Sequence, residues 1–138
     1  MPAGRVIATD TAATFADGVA CRLPDPDAIE VITKGAARVV TISEDDAAEA
    51  MLVLYRTTHN VPEPAGALAL AGLLQERSAA TGKRLTVVQT GGNADSDLLS
   101  EVLSGRTPAR VGQVSRMPPS QGNTTPVMKP FSRRATIA

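Results

Sequence analysis

The stretch VPEPAGALALAGLLQERSAATGKRLTVVQT, residues 61–90, decides the fold class of this chain. Pro64 suits the first turn of a helix, Gly82 suits its C-terminal end, and residues 65–74 are apolar on nearly every side. LTVVQT, residues 85–90, follows as a continuous apolar run, which indicates a parallel strand that is covered on both faces. A helix buried on more than one side, followed by an interior strand, is typical of an α/β protein.

The residues before this stretch predict the same alternation. RVVTIS contains a β-branched run at residues 39–42 with strand character. Ser43 and the three acids after it form a capping box, which predicts a helix from Glu44 to about Thr58. A shorter helix, with Asp25 or Asp27 as its N-cap, is expected from about Pro26 to Lys34. A last helix, capped by Asp95 or Ser96, should run through Leu103. Residues 6–8 are a weaker candidate for a third strand. Two clear strands and one weak one are too few for a sheet that stands alone.

Composition divides the chain into two parts. Residues 1–105 hold 8 basic and 14 acidic side chains, a net charge of −6, and residues 106–138 carry +6. The second part is rich in Pro, Ser and Thr and has no apolar periodicity, so we expect a disordered basic tail. Six charges over 33 residues, with Phe131 as the single aromatic, favour a solvated extension over a nucleic-acid or membrane-binding segment.

Several function classes are disfavoured by residue counts. The chain has one cysteine, Cys21, and one histidine, His59, so an internal disulfide, a cysteine-rich zinc site and a multi-histidine metal site are excluded. No run of 18 apolar residues occurs, and the N-terminal sequence lacks the pattern of a signal peptide, so we expect a cytoplasmic protein. No nucleophile can be paired with a base, and we therefore predict neither a catalytic residue nor a metal ligand.

The best local candidate for a binding site is TGGN, residues 90–93, because ligands of open α/β sheets bind beyond the carboxyl ends of the strands. A glycine pair after a strand is also explained as a simple turn. Glu63, between two prolines, is either a site residue or an acid favoured by the helix dipole. A simple turn would likewise account for Asp17 and Gly18.

Four segments taken in order resemble a known family. They are TAATFADGVACRLPDP, RVVTISEDDAAEAM, THNVPEPAGALALAGLLQER and LTVVQTGGNADSDLL. Their succession is similar to the C-terminal half of serine/threonine dehydratases, pyridoxal phosphate enzymes of fold type II that include threonine ammonia-lyase and serine racemase. The resemblance implies a partial tryptophan synthase β-like fold over residues 1–105, with parallel strands flanked by helices, followed by the tail.

The resemblance also implies a cofactor, pyridoxal phosphate, and a set of residues that would bind it. The hydroxyl that opens the family's [ST]GGN loop bonds the pyridine nitrogen, and by position this is Thr90. An uncharged donor there favours elimination over transamination. Gly18 would pack against the cofactor ring, Glu63 would line the site, and the remaining loop residues Gly91, Gly92 and Asn93 would shape it.

Two family motifs have no match in this chain. One is the Ser-x-Lys-x-Arg motif with the Schiff-base lysine, and the other is the glycine-rich loop that holds the phosphate. We therefore expect a fragment of a dehydratase, which converts a hydroxy amino acid to a 2-oxo acid and ammonia, that is inactive alone. It would act with a complementing N-terminal half, or self-associate. The alternative is a non-catalytic interaction protein that pairs with a full-length dehydratase or another partner.

Overall fold

The computed structural model describes residues 6–110, and this part of the chain is built from helices. The elements are a 3₁₀ turn, Asp17–Val19, followed by α1 (Pro26–Gly35), α2 (Glu44–Thr58), α3 (Pro64–Gln75), α4 (Arg77–Ala80) and α5 (Ser96–Leu103). All four predicted helices are confirmed. The second long one is interrupted at Glu76, so that α4 forms its last turn.

The helices begin where their capping residues predict. The Asp25 carboxylate accepts hydrogen bonds from the backbone N–H groups of Asp27 at 2.9 Å and Ala28 at 3.0 Å. At the start of α2 the Ser43 hydroxyl accepts a bond from the backbone N–H of Asp46 at 3.1 Å. These side chains satisfy N–H groups that have no partner inside the helix, which fixes the first turn.

The core lies between α2 and α3. Its buried residues are mostly small: Phe15, Ala47, Ala48, Ala50, Met51, Ala67, Ala71 and Val102. Because alanines face one another across the pair, the two helices pack closely, with Met51 as the largest side chain between them. On α3 only one face is buried within residues 6–110, since Leu68 and Leu70 stay half-exposed and Ala69 is exposed.

The expected parallel strands are not confirmed. Among residues 6–110 no strand is formed, and Thr14 alone takes part in an isolated bridge. Residues 39–42 and 85–90, and also residues 6–8, lie outside helices and form no ladder with one another. The physical reason is that a strand requires hydrogen bonds to a neighbouring segment, whereas a helix satisfies its own backbone.

The described chain ends against the first turn of α2. The Thr107 hydroxyl donates to the Asp45 carboxylate, and the Arg110 guanidinium nitrogen Nε lies 3.7 Å from a carboxylate oxygen of Glu44. Pro108 is buried. Residues 106–110, which the composition places in the tail, therefore contact the helical core. The rest of the predicted tail, residues 111–138, lies outside the described residues.

Candidate functional site

The loop at residues 90–93 is held against the start of α3. The backbone N–H of Glu63 donates to the carbonyl oxygen of Gly91 at 3.1 Å. Glu63 is the residue before α3, so its position is set by the rigid helix that Pro64 begins. The loop is therefore fixed at Gly91 by a helix terminus, although it belongs to a segment without secondary structure of its own.

Two glycines, Gly66 and Gly92, let the loop backbone approach the chain around the start of α3 closely. A Cβ atom added to Gly66 would lie 2.8 Å from the carbonyl oxygen of Gly91 and 3.0 Å from its nitrogen. One added to Gly92 would lie 3.0 Å from the carbonyl oxygen of Val61. These distances are shorter than van der Waals contact, so a side chain at either position would push the loop away from α3. Gly66 was not among the predicted site residues.

The Glu63 carboxylate lies directly beside the loop. A Cβ atom on Gly91 would be 2.3 Å from both Cδ and Oε1 of Glu63, so the carboxylate fills the space of a side chain at that position. On the other side, a Cβ on Gly18 would be 3.7 Å from Glu63 Oε1 and 3.0 Å from the Cβ of Ala65. The structure thus brings together Gly18, Glu63 and Gly91, which are far apart in sequence.

A polar cavity of about 350 Å³ adjoins this cluster. It is lined by Thr14, Phe15, Asp17, Glu63, Pro64, Asn93, Ala94, Asp95 and Leu98. Of the predicted site residues, Glu63 and Asn93 reach it, whereas Thr90 is exposed and Gly92 contacts Val61 instead. Thr14, Asp95 and Leu98 were missed by sequence reasoning, because no local pattern shows which helix end faces which loop.

The charges of the cavity limit what it can hold. Three carboxylates, those of Asp17, Glu63 and Asp95, line it, and no lysine or arginine does so. A phosphate or another anion would be repelled there, since like charges at short distance destabilise binding. A neutral or cationic group is compatible with the cavity, and the Asn93 amide can donate to or accept from such a group.

The fit to pyridoxal phosphate can be tested against these residues. The Thr90 hydroxyl suits the nitrogen of an aromatic heterocycle, while the space beside Gly18 and Gly91 is shared with the side chains of Ala65 and Glu63. The phosphate needs backbone N–H groups or basic side chains. No lysine or arginine lines the acidic cavity. The residues present fit the ring end of the cofactor and leave its phosphate to be held elsewhere.

Residues 6–110 contain no group of three or more His, Cys, Asp or Glu side chains placed to hold a metal ion. Over the same span, no helix has the length and hydropathy required to cross a membrane.

Comparison with known proteins identifies similar sequences. Residues 1–91 match the family model of "Pyridoxal-phosphate dependent enzyme". The chain is 30% identical to the L-threonine ammonia-lyase of Thermotoga maritima over 101 residues, which is 73% of this chain and 25% of that protein. It is 35% identical to the beta-hydroxyaspartate dehydratase of Paracoccus denitrificans over 97 residues, 70% of this chain and 30% of that protein.

A third relative shows the same proportions. The L-threo-3-hydroxyaspartate ammonia-lyase of a Pseudomonas species is 29% identical over 102 residues, 74% of this chain and 32% of that protein. The chain therefore spans about a quarter to a third of the length of these curated relatives.

Proposed function

The chain belongs to the family of pyridoxal-phosphate dependent enzymes, and we propose that it supplies the ring-binding side of the site of a hydroxy-amino-acid ammonia-lyase. Membership of this family implies fold type II. The observation that carries the proposal is the convergence of Gly18, Glu63 and Gly91 beside the loop of Thr90. The relatives named threonine ammonia-lyase and hydroxyaspartate dehydratase support elimination as the reaction class.

The proposed reaction removes the β-hydroxyl group of a hydroxy amino acid and yields a 2-oxo acid and ammonia. Pyridoxal phosphate, when bound, supplies the electron sink that makes the α-proton of the substrate removable. In this proposal the Thr90 hydroxyl donates a hydrogen bond to the pyridine nitrogen. Because a hydroxyl carries no charge, that nitrogen stays unprotonated, and the ring withdraws electrons less strongly than it would beside a carboxylate.

The other site residues have positioning roles in the proposal. Gly18 and Gly91 leave room for the Glu63 carboxylate between them, and Gly92 lets the loop lie against Val61. The half-buried Glu63 holds Gly91 by its backbone N–H and lines the cavity by its carboxylate, and Asn93 offers an amide to the ligand. The proposal assigns the removal of the α-proton to none of these groups.

We also propose that the 138-residue polypeptide has no lyase activity by itself. Lys34 lies at the end of α1, where it pairs with Glu30, and Lys83 is exposed in the turn after α4, so neither reaches the cavity. In this proposal the lysine that binds the cofactor covalently and the cradle for its phosphate come from a complementing polypeptide; the third lysine, Lys129, lies outside the described residues.

The test is co-expression of this chain with the remainder of the Paracoccus denitrificans beta-hydroxyaspartate dehydratase, outside the 97 aligned residues. We expect ammonia release from at least one of L-serine, L-threonine and hydroxyaspartate. Release should be kept in Thr90→Ser and lost in Thr90→Asp, while Thr81→Asp, at an exposed position beyond α4, should be neutral. Equal release from Thr90→Asp and wild type would refute the role of Thr90.

A second measurement concerns the isolated chain. Borohydride reduction in the presence of pyridoxal phosphate, followed by peptide mapping, should label its exposed lysines without preference. Stoichiometric labelling of one lysine would contradict the proposal that the catalytic lysine comes from elsewhere. Such a result, or ammonia release by the isolated chain, would favour a self-sufficient enzyme. Stable pairing with a full-length dehydratase without any activity would favour the alternative of a non-catalytic interaction protein.

A further inference from the structure

One wall of the acidic cavity is a short segment outside the long helices. We call residues 14–19 the site turn, since the segment ends in the 3₁₀ turn Asp17–Val19. Three of its side chains line the cavity, those of Thr14, Phe15 and Asp17. The site turn therefore shapes the candidate site, although Gly18 was the one residue in it that the sequence predicted to contribute.

The site turn lies tightly against the start of α3. A Cβ atom on Gly18 would be 3.0 Å from the Cβ of Ala65 and 3.7 Å from Oε1 of Glu63. At such distances a small displacement of the turn either presses it into α3 or opens a gap beside the Glu63 carboxylate. The arrangement of the site thus depends on the orientation of the site turn.

Hydrogen bonds from the site turn converge on one carboxylate. The Thr14 hydroxyl and the backbone N–H of Phe15 both donate to Oε2 of Glu44, each at 3.2 Å. Within residues 6–110, these two are the hydrogen bonds that join the site turn to a distant part of the chain. The Phe15 ring is buried in the core, but apolar burial has no direction, so it fixes the depth of the segment and not its orientation.

The Thr14 hydroxyl extends this contact into the turn. It accepts a hydrogen bond from the backbone N–H of Ala16 at 3.0 Å, and the carbonyl oxygen of Ala16 accepts one from the N–H of Val19 at 3.1 Å. A hydroxyl can donate and accept at once, which an apolar side chain cannot do. Hydrogen bonds therefore run without interruption from Glu44 through Thr14 to the residues on both sides of Gly18.

The contact with the site turn distinguishes Glu44 from the acids beside it. Glu44, Asp45 and Asp46 all lie in the first turn of α2, where the helix dipole favours any carboxylate. Asp45 accepts instead from the Thr107 hydroxyl, and Asp46 accepts from the Ser43 hydroxyl. The helix dipole accounts for an acid at each of the three positions, and it does not account for the bonds that Glu44 makes.

We propose that Glu44 is the positioning residue of the site turn, and thereby of the cofactor site, and that it acts through the Thr14 hydroxyl and the Phe15 N–H. This role rests on the proposed function, because it concerns the same cavity. Glu44 itself contacts neither cofactor nor substrate. It keeps Gly18 beside Glu63 before a ligand arrives, so that binding does not have to order this wall of the cavity.

Amide hydrogen exchange of the full 138-residue chain tests the anchor directly. Thr14→Val keeps the shape of the side chain without its hydroxyl, and Glu44→Ala removes the acceptor. Each should speed exchange of the amides of Phe15, Ala16 and Val19 by about tenfold or more. Thr14→Ser retains the hydroxyl and should keep these amides within about threefold of the wild-type rates.

Asp45→Ala is the matched control for Glu44→Ala. It removes a carboxylate from the same turn of α2, and with it the same kind of helix-dipole interaction, but its hydrogen bond goes to Thr107. Exchange in the site turn should therefore stay within about twofold of wild type. The double variant Glu44→Ala/Thr14→Val should exchange at most about twice as fast as the faster single variant, because both changes break one connection.

Co-expression with the remainder of the Paracoccus denitrificans beta-hydroxyaspartate dehydratase separates positioning from stability. In that pair, Glu44→Ala and Thr14→Val should raise the pyridoxal phosphate concentration for half-maximal ammonia release by about tenfold, because binding must then restore the order of the wall. Release at saturating cofactor should change less. Asp45→Ala should need a concentration within about twofold of wild type.

The outcomes separate this role from the proposed function. Equal exchange in the site turn for Glu44→Ala and Asp45→Ala overturns the proposal, as does a double variant whose effect is the product of the two single effects. Equal cofactor requirements for Glu44→Ala and Asp45→Ala in an active pair overturn it as well. Faster exchange in Glu44→Ala and Thr14→Val alone, with a wild-type pair that releases no ammonia, upholds Glu44 as the positioning residue of the site turn and refutes the proposed function.

Discussion

The α2–α3 pair and the two extended segments, residues 39–42 and 85–90, differ in how their backbones are satisfied. The helices bond within themselves, and their facing alanines and Met51 bury a common core. Residues 39–42 and 85–90 have comparable apolar content, yet Val39 and Val88 remain exposed because no neighbour pairs with them in residues 6–110. An apolar stretch therefore forms a complete secondary-structure element only where its hydrogen-bond partners are local.

The largest expected difference between the two regions comes from the core. Replacing Met51, which is 1% exposed on α2, by alanine should lower the free energy of unfolding by about 2–5 kcal/mol. The reason is that the space left by the side chain is enclosed by rigid helices. A loss of that size is comparable to the whole stability of a small domain. Urea unfolding followed by circular dichroism should show a large shift or the absence of a folded baseline.

Val88→Ala is the matched change in the extended segment of residues 85–90. Since Val88 is 66% exposed, the substitution should change the unfolding free energy of the isolated chain by less than about 0.5 kcal/mol. A loss as large as that of Met51→Ala would mean that residues 85–90 are already paired in the isolated chain, and the contrast between the regions would disappear.

The next largest effect tests the contact between the site and the helices. Gly91→Ala would place its Cβ 2.3 Å from the Glu63 carboxylate, so we expect a loss of about 1–3 kcal/mol from overpacking. Glu63→Ala removes the obstructing group, and the double variant should recover part of the loss. Gly35→Ala, at a position with no atom within 4 Å, should be neutral or slightly stabilising in the same urea experiment.

These contacts show how much of the structure could be predicted. The start of α2 followed from Ser43, and that of α1 from two candidate caps, Asp25 and Asp27, of which Asp25 is the one observed. Caps are readable from sequence because they involve residues two or three positions apart. The strands did not follow from the apolar runs, since pairing depends on a partner that local sequence does not specify. Gly66 was missed for the same reason, because its role depends on its contact with the distant Gly91.

The candidate site, too, was predictable only in part. Gly18, Glu63 and Gly91 were named from the family resemblance, and the structure places them together. The position of Thr90 is less determined, because the segment before it has no partner within residues 6–110. The functional roles of all six predicted residues remain proposals that the variants above test.

A smaller, opposite effect is expected at the end of α2. His59 adopts φ 59° there, in the left-handed region, and its N–H donates to the Tyr55 carbonyl oxygen at 3.0 Å. A side chain in this conformation is strained, so His59→Gly should stabilise the chain by about 0.5–1 kcal/mol in urea unfolding. Asn60→Gly, one residue later and without a positive φ, should not stabilise it.

The smallest effect concerns the ion pair between Arg38, just before residues 39–42, and Glu76 at the end of α3. The Arg38 Nε donates to Glu76 Oε1 at 3.0 Å, and a second guanidinium nitrogen contacts the other carboxylate oxygen. The hydrogen bond from Arg38, together with its charge, lowers the pKa of Glu76 from its ordinary value of 4.5. Both groups lie at the surface, so the effect on stability is small and is screened by salt.

The direction of its pH dependence follows from that lowered pKa. The pair stabilises the folded chain fully above the ordinary pKa of 4.5, and the contribution is lost as the pH falls from there through the lower folded-state pKa of Glu76. Glu76→Gln should therefore unfold at slightly lower urea than the wild type at pH 7, and the two midpoints should converge below the folded-state pKa. Glu49→Gln, which removes an exposed carboxylate on α2, is the control. A Glu76→Gln difference that is unchanged between neutral and acidic pH, or unaffected by salt, would show that the carboxylate acts through packing and not through its charge.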